Sequence, residues 1–181
     1  MLALFPESLE PVGLRPALAE AVRLGAATAG IWSNAAVRAT EALKLGFDVG
    51  WQPWWMAAPL SGFPAAETSD GFSTEQAAGL PEGCWQAEAT QNGQWLGRGR
   101  VFLPAATATA TAPLAGIFDL LVLPEYQRQG LGGRLLRSLA QRAGQQGAQQ
   151  LVLNSTPAGE RLYRAHGFEL IGRGRTYWLQ L

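Results

Sequence analysis

The chain has 181 residues, 48% of them hydrophobic and only 15% charged, with 14 basic and 14 acidic side chains cancelling to a formal net charge of zero. That is one ordinary domain, or one domain with a sizeable appendage, long enough to bury a real core. Zero net charge argues against a general nucleic-acid binder or a membrane-surface protein, and it leaves little repulsion against a homodimer. The single cysteine, Cys84, excludes an internal disulfide framework. No apolar run approaches a membrane span, and the N-terminus lacks a basic stretch followed by a long apolar one. A soluble, cytoplasmic protein is the expectation.

Met1 to Phe5 has the composition of a short strand closed by Pro6. Ala17 to Leu24 is a good helix former, with Pro16 suited to its first turn and Gly25 to its stop. Asn34 to Leu45 predicts a second helix, capped by Ser33 or Asn34 and ended by Gly46. Residues 26–33 fit either more helix or a short strand at Ile31-Trp32. Phe47 to Ala58, with Trp51, Trp54 and Trp55, fits a strand or an aromatic loop. These tryptophans suit packing, a dimer interface or the wall of an acceptor site. Residues 59–83 form a Pro-, Gly- and Ser-rich connection with a short helix expected at Thr74 to Ala78.

From Cys84 onwards the pattern sharpens. Cys84 to Thr90 and Trp95 to Leu103 predict a hairpin across Asn92-Gly93. Pro104 to Pro113 is a low-complexity loop. Ile117 to Leu123 is an apolar run expected of a strand buried on both faces, and Pro124 closes it. Gln127 to Gly133 is a glycine-bearing turn. Leu131, Leu135, Leu136, Leu139 and Ala143 then recur at helical spacing. A strand, a glycine turn and a helix start make an anion site, because the first helical N–H groups lack intrahelical partners and the dipole adds positive charge. A strand at Gln150 to Asn154, a helix at Pro157 to Ala165, and two strands at Phe168 to Ile171 and Thr176 to Leu181 follow. A parallel crossover between hairpins predicts an α/β fold with a mixed sheet.

Gln127-Arg128-Gln129-Gly130-Leu131-Gly132 resembles the acyl-CoA-binding motif of the GCN5-related N-acetyltransferases, the GNAT superfamily. The preceding Val-Leu-Pro-Glu-Tyr, the strand ending in Asn154 and the block PAGERLYRAHGFEL strengthen the likeness, which covers residues 84–181 well and 1–83 poorly. The resemblance implies a mostly antiparallel sheet with a parallel β-α-β centre, and acetyl-CoA as co-substrate with no metal. It implies that Leu120, Leu121 and Val122 offer backbone groups to the pantetheine arm and the thioester carbonyl. Arg128, Gln129, Gly130, Leu131, Gly132 and Gly133 would hold the pyrophosphate, Leu131 also serving as a core anchor. Asn154 would bond the pantetheine arm.

Tyr163 stands at the family's general-acid position, where a phenol gives its proton to the departing thiolate; the alternative is a tyrosine packed on a helix face. Asp119 is the carboxylate nearest the reaction centre in sequence. It suits a base acting directly or through water, an anchor for a cationic amine, or a paired structural acid. Glu88 on the hairpin is a second carboxylate for the acceptor cleft. His166 is the sole histidine, so no histidine-built metal site exists, and it reads as structural. Cys84 lies in no reactive motif. The activity implied is acetyl transfer to a primary amine of a small molecule or peptide, by direct attack in a ternary complex. The alternative is a weak or inactive acyl-CoA-binding regulatory module.

Residues 1–83 carry two readings. They supply the family's opening strand and two helices, or they are a degenerate half-copy of the fold. The second rests on IWSNAAVRATEALKLGFDVG (31–50), which resembles LVLNSTPAGERLYRAHGFELIG (151–172), with LAEAVRLGAATAG resembling LAQRAGQQGAQQ upstream. Ala42 then stands where Tyr163 stands. A strand at Ile31 to Ser33 belongs to the half-copy reading, a helix end or turn to the ordinary one.

Overall fold

The computed structural model describes residues 2–4, 9–34, 39–64, 72–75, 79–104 and 113–181. In chain order the elements are β1 (Leu2–Leu4), α1 (Pro11–Arg23), β2 (Thr28–Asn34), α2 (Thr40–Lys44), β3 (Asp48–Val49), β4 (Trp54–Pro59), a 3-10 turn at Leu60–Gly62, β5 (Phe72–Glu75), β6 (Cys84–Gln91), β7 (Gln94–Phe102), β8 (Leu114–Val122), a 3-10 turn at Pro124–Tyr126, α3 (Leu131–Gln145), β9 (Gln150–Ser155), α4 (Pro157–Arg164) and β10 (Glu169–Gln180). The chain forms two compact units, one of residues 1–54 and 172–181, the other of residues 55–171. The fold is mixed α/β, mostly antiparallel, with helices flanking the strands.

In the larger unit β5, β6, β7 and β8 pair antiparallel in sequence, and β8 pairs parallel with β9 through the crossover helix α3. β4 lies on the other side of β9. Asn92 and Gly93 take φ 50° and 76°, the two left-handed residues that a tight hairpin turn needs. Leu135, Leu136 and Leu139 of α3 are fully buried against Ala87, Val101, Ala115 and Leu151 of the sheet. Each leucine so buried is worth roughly 2 kcal/mol of hydrophobic transfer.

In the smaller unit β2 pairs parallel with β1 and antiparallel with the last part of β10, from Gly174 opposite Asn34 to Gln180 opposite Thr28. Leu14 and Ala21 of α1, Ala42 of α2, Ile31 and Tyr177 make its core.

Several elements differ from the sequence-based expectation. Helix α1 begins at Pro11, not Pro16, because Glu10 and Pro11 already supply the N-cap and first position; Pro16 sits inside the helix. Asn34 ends a strand rather than capping a helix, and Ile31 to Ser33 lie in that strand. Thr74 and Glu75 are strand, and the rest of that expected helix, 76–78, lies outside the described residues, as do 105–112 of the expected loop. The two final strands are one. Residues 172–175 run straight through because Gly174 is paired with Asn34 and its N–H donates to Pro53 O at 2.7 Å.

Candidate active site

β8 and β9 are paired only from Leu114–Gln150 to Ile117–Leu153. Beyond that pair β8 continues to Val122 and β9 to Ser155, so a wedge of unpaired backbone opens between them. The cause lies on the other edge of β8. The register against β7 slips between Arg98–Leu121 and Arg100–Phe118, so Asp119 and Leu120 stand opposite the single residue Gly99. This is a β-bulge, and Asp119 takes φ 54° within it. Close approach requires the glycines of β7: a Cβ on Gly97 would lie 2.5 Å from Leu121 O, and one on Gly99 2.7 Å from Leu120 Cδ1.

The bulge also corrects the expectation that Ile117 to Leu123 is buried on both faces. Phe118 and Asp119 fall on one face, where Leu121 joins them. Leu120 and Val122 turn to the α3 side and pack on the core. Asp119 Oδ2 accepts from Arg98 (Nη2 at 3.0 Å, Nε at 3.1 Å) and from Arg100 (Nη1 at 3.1 Å). Arg100 Nε donates to Gln86 Oε1 at 2.7 Å, and Gln86 Nε2 to Glu88 Oε1 at 2.8 Å. Sequence reasoning missed Arg98 and Arg100. Their signal is the Gly97-Arg98-Gly99-Arg100 alternation, glycines facing the bulge and arginines the other face.

The turn after β8 is built from its own glutamines. Gln127 Nε2 donates to Val122 O at 3.0 Å, and Gln129 Nε2 to Glu125 O at 3.3 Å. Arg128 and Gly130 take φ 64° and 81°, and Gly130 is the N-cap of α3. The N–H groups of Leu131, Gly132 and Gly133 are then first-turn donors with no intrahelical acceptor. The three glycines have different surroundings. A Cβ on Gly130 meets nothing within 4 Å; one on Gly132 meets Leu162 Cδ2 at 3.2 Å; one on Gly133 meets the His166 ring at 2.9 Å. Gly132 and Gly133 let α4 close on α3, and Gly130 supplies the left-handed turn and an open approach. Leu131 is a buried core residue.

α4 is capped by Thr156, whose Oγ1 accepts from Gly159 N–H at 3.2 Å. It carries Tyr163, 8% exposed and packed edge-on against Phe168 at 5.7 Å between ring centroids. Leu131, Tyr163, Leu120 and Val122 belong to one packed cluster. Burial pushes the Tyr163 phenol above its ordinary pKa, because the phenolate would be poorly solvated. His166 Nδ1 bonds Leu162 O at 2.9 Å, and Arg137 Nη1 approaches Nε2 at 3.3 Å, a structural clasp between α3 and α4. Burial raises the Cys84 thiol, which suits an inert core cysteine. Trp51 and Trp54 belong to the smaller unit, where Arg173 stacks over Trp54 at 4.8 Å, and Trp55 to the larger.

Asn154 Oδ1 is buried with no hydrogen-bond partner among the described residues. A buried amide oxygen left unpaired costs about 1–3 kcal/mol, so it fits an amide-bearing ligand lying in the wedge. Asn154→Leu is expected to leave the ligand-free protein as stable or about 1 kcal/mol more so, while acetyl-CoA affinity falls; thermal melts with and without acetyl-CoA read both. Among the described residues no group of three His, Cys, Asp or Glu side chains is placed to hold a metal, and no helix is long and apolar enough to cross a membrane.

Residues 81–170 match the acetyltransferase (GNAT) domain family. The uncharacterised N-acetyltransferase YhfO of Bacillus subtilis is 31% identical over 84 residues, 45% of this chain and 56% of that protein's length. The GCN5-related N-acetyltransferase of Kribbella flavida superposes with a TM-score of 0.65 at 14% identity, covering 98% of this chain and 77% of the other. A tandem GNAT protein of the clavulanic acid biosynthesis pathway superposes with a TM-score of 0.59 at 12% identity, covering 92% and 68%. The wedge, the glycine turn and these likenesses agree: the chain belongs to the GNAT superfamily of acetyltransferases.

Proposed function

We propose that this protein is an acetyl-CoA-dependent N-acetyltransferase, moving the acetyl group to a primary amine of a small molecule or peptide by direct attack in a ternary complex. The observation that carries this reading is the wedge past Ile117–Leu153, with an unpaired Asn154 Oδ1 beside it and a glycine turn leading into α3. Acetyl-CoA when bound supplies an activated thioester. The first N–H groups of α3 hold its pyrophosphate, and Arg128 and Gln129 shape the turn. Asn154 accepts from the pantetheine arm. A backbone N–H of the Leu120–Val122 segment donates to the thioester carbonyl as negative charge develops there. Tyr163, protonated in its buried position, gives its proton to the departing thiolate.

Asp119 is spoken for by two guanidiniums, which supports the paired structural acid over a free base. Glu88, on the same face and bonded by Gln86, is a carboxylate for the amine's proton. The setting is the cytoplasm, where an acyl-CoA donor is available. Purified protein given acetyl-CoA and a panel of amines should release free thiol. Tight acetyl-CoA binding with no thiol released on any amine would make it a binding module instead.

A further inference from the structure

The sheet face turned away from α3 carries Gln86, Glu88, Arg98, Arg100, Phe118 and Asp119, and it leads to Leu121, the cross-strand partner of Arg98. It is an accessible surface: Phe118 is 42% and Leu121 45% exposed. Two guanidiniums converge on one oxygen of Asp119, Arg98 through Nε and Nη2 and Arg100 through Nη1. A guanidinium has five N–H donors in a flat fork. Nη1 of Arg98 and Nη2 of Arg100 therefore have donors to offer a ligand, beside the apolar surface of Phe118 and Leu121.

We infer that the acceptor is an amine that also carries a carboxylate, an amino acid with an apolar side chain, whose carboxylate is held by Arg98 and Arg100. This rests on the acetyltransferase reading above. The leftover guanidinium donors beside an apolar rim carry it: a carboxylate takes the donors and an apolar side chain takes the rim. The apolar rim suits a side chain rather than a sugar.

The test pairs acceptors with their decarboxylated twins: L-phenylalanine with 2-phenylethylamine and L-leucine with 3-methylbutylamine, with spermidine as the polycation. The amino acids should exceed their twins in kcat/KM by about tenfold or more, the worth of one charge-assisted hydrogen bond. Arg98→Met should raise KM for the amino acids and leave that of the twins and the acetyl-CoA affinity in place, with Arg98→Lys recovering part of the loss. Equal or better use of the twins, preference for spermidine, or no use of any amino acid would overturn the inference. If acetyl-CoA still binds in that event, only the acceptor class falls; if it does not bind, the donor reading falls with it.

A second, independent inference concerns residues 1–60. The helix–strand–helix of the smaller unit repeats that of the larger in detail. Ala26 N–H bonds Ala21 O across Gly25 as Ala148 N–H bonds Ala143 O across Gly147, all at 3.0 Å. Phe47 N–H bonds Ala42 O as Phe168 N–H bonds Tyr163 O, both at 3.1 Å. Gly25, Gly46, Gly147 and Gly167 all have positive φ. Leu4 pairs parallel with Ile31 as Ile117 does with Leu153. In that register Glu10 and Pro11 replace Gly132 and Gly133, and Trp32 replaces Asn154.

The structure assigns residues 1–60 as a half-copy of the fold whose last strand has been exchanged. β4 of the first half lies beside β9, and the end of β10 lies beside β2. An acid and a proline without an N–H stand at the start of α1, so this half holds no acyl-CoA. Calorimetry should give one acetyl-CoA per chain, and two would overturn the assignment. In the full chain, Leu179→Asp, on the core face of β10, should raise amide exchange in residues 28–34 ahead of 150–155. The reverse order would overturn the exchange.

Discussion

Tyr163→Phe is expected to lower turnover on the order of 100-fold, the lower end of what a positioned general acid contributes, with acetyl-CoA affinity and thermal stability nearly unchanged. The substitution is clean because the ring's work and the hydroxyl's work are separable here. The ring packs among Leu131, Phe168 and the partly buried Leu162, and phenylalanine keeps those contacts. Only the proton is lost. The pH profile separates this role from a structural one. Burial holds the phenol above its ordinary value of 10.0, so it stays protonated through neutral pH, and the alkaline fall in turnover that it governs lies above that value. The same shift has a stability consequence. Folding favours the protonated phenol, so stability present below the unfolded phenol pKa is lost as pH rises through the raised folded value. Tyr163→Phe should remove both effects; initial rates of thiol release and thermal melts across the alkaline range read the first and the second. Unchanged turnover would take Tyr163 out of the chemistry.

What the sequence discloses depends on whether a feature is local. The glycine turn, α3, β9 and α4 are specified within single short stretches, by Gly130, by the leucine spacing of α3 and by the Thr156 cap, and the structure has them where the sequence put them. The bulge in β8 is a property of pairing. Ile117 to Leu123 taken alone is an apolar run. Only beside Gly97 and Gly99 does it become a strand that puts Asp119 outward with Phe118. Asp119 therefore looked like a lone carboxylate near the chemistry, while its neighbours Arg98 and Arg100 lay twenty residues back. β10 misled for the same reason. Gly172 and Gly174 resemble a turn, but Pro53 and Asn34, more than a hundred residues away, hold that segment extended. In the first half, Ala42 and Trp32 stand at the hydrogen-bonding and pairing positions that Tyr163 and Asn154 hold in the second, and neither carries their polar groups, so motif reading had little to grip.

Gly130→Val is expected to weaken acetyl-CoA binding by at least about 100-fold while leaving the fold intact. The space over Gly130 is open, so a larger side chain clashes with nothing in the protein. Its effect is on conformation. At φ 81° a non-glycine residue costs roughly 1–2 kcal/mol, and a β-branched one is a pronounced outlier there. The turn relieves that strain by rotating, which swings the N–H groups of Leu131, Gly132 and Gly133 off their common direction. The side chain then occupies the approach to those groups. Gly144→Ala is the matched control, because Gly144 lies in the last turn of the same helix with nothing within 4 Å of its added Cβ and no positive φ. It should raise stability by about 0.5–1 kcal/mol and leave acetyl-CoA affinity unchanged. Titration of both variants with acetyl-CoA decides the point. Equal affinity in the two would mean that the turn is a structural corner and that the pyrophosphate site lies elsewhere. Loss in Gly130→Val alone would tie donor binding to the backbone of this one turn.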